Sequence, residues 1–127
     1  MTLTVPAVAL QAAAHEVNEA ASPNSSVLSI TADVSDLDTM ITLAATVRQE
    51  FGDVAFLMNN AVTRIDARTW ENADAWNRTV AVNIMGVVNG VLAFAPAMIQ
   101  QSEPSVIVNA GSKQGRTNPR GSRPGYN

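Results

Sequence analysis

At 127 residues the chain is long enough for one domain, which at this length buries roughly two-thirds of its unfolded surface. Its hydrophobic share of 46% is ordinary for a globular protein, while the absence of Cys and the single His exclude disulfides, thiolate ligands, a cysteine nucleophile and a His-rich metal centre. The net charge of −3 conceals a division, because residues 1–112 hold all eleven acids against four Arg, whereas 113–127 hold Lys113, Arg116, Arg120 and Arg123 and no acid. A basic segment of this kind either attracts phosphates of a cofactor or nucleic acid or is a solvated loop. The lack of interleaved aromatics favours the loop and argues against nucleic acid.

Val5 to Ala14 has the length of a signal-peptide core, but no basic residue precedes it and Pro6 and Gln11 interrupt it. No uninterrupted apolar run approaches the ~20 residues that cross a bilayer. A soluble, cytoplasmic protein without a membrane partner is expected.

In chain order, residues 6–21 are expected to be helical: Pro6 suits a first helical position, and Leu10, Ala13, Ala14, Val17 and Ala21 share one face. His15 lies off that stripe and reads as a surface residue rather than a base. Ser22 to Ser26 is dense in turn formers. Val27 to Ala32, short and rich in β-branched residues, is expected to be a strand ending in Asp33-Val34-Ser35-Asp36. Ser35 or Asp36 can cap the next helix, whose stripe is Leu37, Met40, Ile41, Ala44, Val47 and Phe51 and which stops at Gly52.

Val54 to Met58 is a continuous apolar run, the pattern of a strand covered on both faces, and it closes in Asn59-Asn60-Ala61-Val62. A long helical segment follows over about 70–101, with Trp76, Val80, Asn83, Val87, Val91 and Phe94 along one side. An amide on such a stripe is costly unless hydrogen-bonded, so Asn83 must have a partner. Gly86 and Gly90 allow another element to approach closely, and Pro96 should kink the helix or shift its hydrogen bonding. The last strand, Ser105 to Ala110, leads to Ser112. Residues 113–127, with three Gly and two Pro, are expected to be a mobile tail that carries Tyr126.

Strands alternating with helices predict an α/β fold with a parallel sheet and helices on its faces. In such a sheet every strand finishes at the same edge. Asp33, the Asn59-Asn60-Ala61 group and Ser112 would then gather at the carboxyl edge, where open α/β folds bind ligands.

Asp33-Val-Ser-Asp36, Asn59-Asn60-Ala61, Asn83 in the long helix, and Ser112 followed about a dozen residues later by Tyr126 together resemble the short-chain dehydrogenase/reductase family, in the family's order and over nearly the whole chain. The resemblance implies a partial Rossmann-like, doubly wound domain over 1–127 and an oxidoreductase acting with NAD or NADP on a small-molecule carbonyl or alcohol. It implies that Asp33 and Val34 meet the adenine, that Asn60 and Ala61 line the adenosine side, and that Val62, standing where the family usually has Gly, brings a side chain against the nicotinamide ribose. Tyr126 is then the general acid/base, Ser112 orients the substrate oxygen, and Asn83 holds a water in the proton relay. The family's lysine four residues after the tyrosine and its Gly-rich turn before the first helix have no counterpart in this sequence. The chain is therefore expected to be an internal portion of a longer enzyme and inactive alone. The alternative is a non-catalytic module that associates through the long helix, as a homo-oligomer.

Overall fold

The computed structural model describes residues 7–63 and 72–112. Their elements are α1 (Ala7–Ala20), α2 (Leu37–Phe51), β1 (Phe56–Asn59), α3 (Ala73–Val80), a π-helical turn (Ala81–Met85), α4 (Gly86–Gln100) and β2 (Val106–Asn109). The chain divides into two compact units, Met1–Asp33 and Val34–Asn127.

In the first unit α1 follows the predicted bounds closely, and the Ser22 carbonyl accepts a turn hydrogen bond from the Ser25 N–H at 2.8 Å. His15 sits 3.5 Å from Glu19 one helical turn away with both side chains in solvent, the surface position its place off the stripe implies. The expected strand over 27–32 is not formed among the described residues: the segment has no ladder, and Val27, Leu28 and Ile30 stay exposed. β-branched composition favours an extended backbone, but only a neighbouring strand can satisfy its amides and convert it into sheet.

In the second unit local chemistry sets the bounds of α2. Asp36 is its N-cap: its carboxylate accepts from the Asp38 N–H at 3.2 Å and from the Thr39 hydroxyl at 2.5 Å. The helix ends at Gly52, whose φ of 80° disfavours any side chain and whose N–H reaches the Arg48 carbonyl at 3.0 Å. Met40 and Ala44 are buried from the predicted stripe, while Ile41 and Phe51 at its margins face solvent.

β1 and β2 pair in parallel, Phe56 opposite Val106 through Asn59 opposite Asn109, with the long helix as the crossover between them. Leu57 and Ile107 point to the face where Met40 and Ala44 of α2 meet Phe94 and Met98 of α4, and this layer is the core. The other face presents Phe56, Met58, Val106 and Val108 to solvent. The strand expected to be covered on both faces is therefore covered on one, because both packing helices of this unit lie on the same side.

The long helix extends from Ala73 to Gln100 in three continuous pieces, passing through Pro96 without interruption. By length and composition it could cross a membrane. One side of it packs inward: Phe94 and Met98 enter the hydrophobic cluster, and Asn83 and Asn89 bond to main chain of neighbouring segments.

The helix runs back along β1 and grips it at both ends. The Gln101 amide accepts from the Val54 N–H at 3.2 Å and donates to the Val54 carbonyl at 3.0 Å. The Asn83 amide does the same to Thr63, accepting at 2.8 Å and donating at 3.2 Å. The lengths agree, since Asn83 to Gln101 spans about 27 Å as helix and Val54 to Thr63 about 30 Å as extended chain.

Candidate functional site

The carboxyl ends of β1 and β2 form a rim. The Asn59 side chain donates from Nδ2 to Oδ1 of Asn109 at 2.8 Å, directly across the ladder, and the Ala110 N–H donates to the Asn59 carbonyl at 2.9 Å. Beyond this last rung Asn60, Ala61 and Val62 on one strand end and Ala110, Gly111 and Ser112 on the other are exposed. A methyl group built on Gly111 would meet nothing within 4 Å. The outcome is an open shelf of main chain between two amide-tied strand ends, with a serine at one end.

Close approach of α4 holds that shelf from below. At Gly90 a Cβ would collide with Oδ1 of Asn59 and lie 3.1 Å from its Cγ, so the Asn59 amide occupies the space that any other residue would fill. At Gly86 a Cβ would lie 2.8 Å from Cγ2 of Val34. Both glycines thus serve the close contacts that their spacing implies, each with a different segment. Between them Asn89, only 4% exposed, donates from Nδ2 to the Val34 carbonyl at 2.9 Å.

The buried side of the helix follows the line that the sequence suggests only in part: Phe94 is buried and Asn83, Val87 and Val91 are half-buried. Ala75, Thr79, Gly86, Asn89, Gly90, Phe94 and Met98 are buried, whereas Trp76 and Val80 are exposed. A helix that lies close to a strand and a loop needs small groups and amides at that contact, so Phe94 and Met98 pack inward further along it while Trp76 and Val80 turn outward. The π-helical turn that contains Asn83 also rotates the residues before it relative to a regular 3.6-residue pattern.

Of the sequence-derived site residues, Asn60, Ala61, Val62 and Ser112 share the rim, and Asn83 lies next to it through Thr63, the residue after Val62. Val34 is tied to α4 in the same unit. Asp33 belongs to the first unit and is described there alone. Tyr126 and Lys113 lie outside the described residues. Three amides that the sequence did not single out, Asn89, Asn109 and Gln101, carry much of the tertiary hydrogen bonding together with Asn59. Asn89 had the same sign as Asn83, an amide within an apolar helix, and Asn59 and Asn109 each close an apolar strand.

The sequence pattern of the family described as short chain dehydrogenase matches residues 2–127. Among characterised proteins, the short chain dehydrogenase andI of Emericella variicolor is 41% identical over 92 residues, 68% of this chain and 30% of that protein. The sulfoacetaldehyde reductase of Chromohalobacter salexigens is 32% identical over 89 residues, 68% of this chain and 35% of its own length. Among solved structures, a short chain dehydrogenase/reductase from Burkholderia phymatum in complex with NAD superposes with a TM-score of 0.82 at 31% identity, covering 96% of this chain and 42% of that one. The chain thus spans about a third of the curated relatives it matches, and the architecture shared with these structures is α/β and Rossmann-like.

Proposed function

Because the chain belongs to the short chain dehydrogenase family, we propose that it is the middle portion of an oxidoreductase which, complete, transfers a hydride between NAD or NADP and a small carbonyl or alcohol. The two units would be parts of one cytoplasmic nucleotide-binding domain. The observation that carries this reading is the in-register parallel pairing of β1 with β2, which brings Asn60-Ala61-Val62 and Ser112 to one rim. Two features support a nucleotide there: the shelf is open above Gly111, and its floor is main chain fixed by the hydrogen bond between the Asn59 and Asn109 side-chain amides.

Bound there, the cofactor would supply or accept the hydride. Asp33 and Val34 would receive the adenine end, Asn60 and Ala61 would line the adenosine side, and Val62 would lie beside the nicotinamide ribose. Ser112 would donate its hydroxyl proton in a hydrogen bond to the substrate oxygen. Tyr126 would give its phenolic proton to that oxygen as a carbonyl is reduced, or take one as an alcohol is oxidised. Asn83, whose amide holds Thr63 at both N–H and carbonyl, would keep the segment after Val62 in place beside the proton relay. A free phenol with a pKa of ~10 is ionised to about one part in a thousand at pH 7, so Tyr126 needs a neighbouring cation to act as a base. The family's lysine, which provides it, has no counterpart in this sequence. Purified 1–127 should accordingly show no turnover of alcohols or aldehydes with NAD(H) or NADP(H), and measurable activity would overturn this account of the tyrosine. Titration of the ¹⁵N-labelled chain with NADH tests the site itself: shifts are expected at Asn60, Ala61, Val62, Gly111 and Ser112, and shifts confined to other residues would reject the rim.

A second reading concerns association. Trp76, Val80, Ile84, Val88, Leu92 and Ile99 are all exposed and recur at nearly every fourth position of the long helix. This apolar stripe supports a homo-oligomer formed through the helix. Sedimentation of the chain as a monomer at tens of micromolar would exclude it.

A further inference from the structure

We propose that Asn89 is a positioning residue for the adenosine side of the nucleotide site, a role that rests on the nucleotide reading above. Val34 lies in a turn, outside any strand, so no ladder holds its main chain. Helix α4 holds it instead: the Asn89 Nδ2–H donates to the Val34 carbonyl at 2.9 Å, and Gly86, three residues earlier, lets the Val34 side chain into contact. One residue after Asn89, Gly90 receives the Asn59 side chain, whose own residue leads directly into Asn60 and Ala61.

A single stretch, Gly86 to Gly90, thus touches both segments assigned to the adenosine side. A helical turn is stiff, so the separation between Val34 and Asn59 is set by the geometry of that turn. The amide is essential to it. The half-buried Val34 carbonyl and the buried Asn89 amide each need a partner, and here each serves the other. Removing the amide frees Val34 to move while leaving Asn59 seated on Gly90. The expected defect is selective for ligands that bridge the two segments.

The test compares adenosine 5′-monophosphate with nicotinamide mononucleotide on the intact chain. Asn89→Ala should weaken the adenine-bearing probe by about tenfold, the loss of one well-placed hydrogen bond, and leave the nicotinamide-bearing probe unchanged. Asn89→His, which keeps an N–H at a similar reach, should restore most of the affinity. Equal weakening of both probes would mean a general loss of structure and would overturn the assignment, as would an unaltered affinity for the adenine probe. In the unmodified chain the Asn89 side-chain amide resonance should shift and exchange more slowly with the adenine probe alone, and an unmoved resonance would also overturn the role. Binding of neither probe by the unmodified chain would instead reject the nucleotide reading itself, and this assignment with it.

Discussion

Gly90 shows how much one atom decides. The residue is buried, and the Asn59 amide stands where its Cβ would be. The amide cannot withdraw freely, because it also donates to Asn109 across the ladder. Gly90→Ala must therefore push the helix from the strand or break the Asn59–Asn109 bond. Although alanine favours a helix by ~1 kcal/mol over glycine, overpacking of a tight contact costs about 1–3 kcal/mol, and the second effect should win. Thermal unfolding should show a lower midpoint for the variant, and a raised midpoint would mean that the contact relaxes easily. Gly111 provides the contrast, since it has open space where Gly90 has none.

Among the elements, α2 has both ends written into its local sequence. Asp36 accepts from the first turn and Gly52 adopts a backbone that other residues reach only with strain. Gly52→Ala should destabilise the protein by about 1–3 kcal/mol, although no neighbour lies within 4 Å of the added methyl, because the cost arises from the φ of 80° and not from packing. Chemical denaturation checks this, and a neutral result would indicate that the helix end readjusts. The long helix differs in kind. Its start is capped locally by Asn72, but its rotation is set by what it grips: Val54 through Gln101, Thr63 through Asn83, Asn59 at Gly90 and Val34 through Asn89. Periodicity alone placed Trp76 and Val80 on its buried face; the contacts with other segments put Gly86, Asn89 and Gly90 there beside Phe94 and Met98 and left Trp76 and Val80 outside.

At the level of the whole molecule, the same rotation leaves Ile84 and Leu92 outward on an apolar stripe. If that stripe joins two copies, Ile84→Asp should shift the chain to monomer in analytical ultracentrifugation without lowering its unfolding midpoint. An unchanged association state would place the contact elsewhere. Phe56, Met58, Val106 and Val108 form a second exposed apolar surface, on the sheet.

What the amino-acid sequence determined by itself was the class of most elements, the bounds of α2, the parallel relation of the strands at 56–59 and 106–109, and the placing of Asn59, Asn60 and Ala61 at one edge with Ser112. These follow from local signals, namely caps, apolar periodicity and the need of a parallel pair for a helical crossover. Only the tertiary structure decided that Val27 to Ala32 lacks a ladder among the described residues, that the sheet is covered on one face, and that Asn59, Asn89, Asn109 and Gln101 tie the site together. Each of those outcomes depends on a partner distant in the chain. A hydrogen bond between residues fifty positions apart leaves no periodic trace in either segment, and the amides that make it read in isolation as ordinary polar residues.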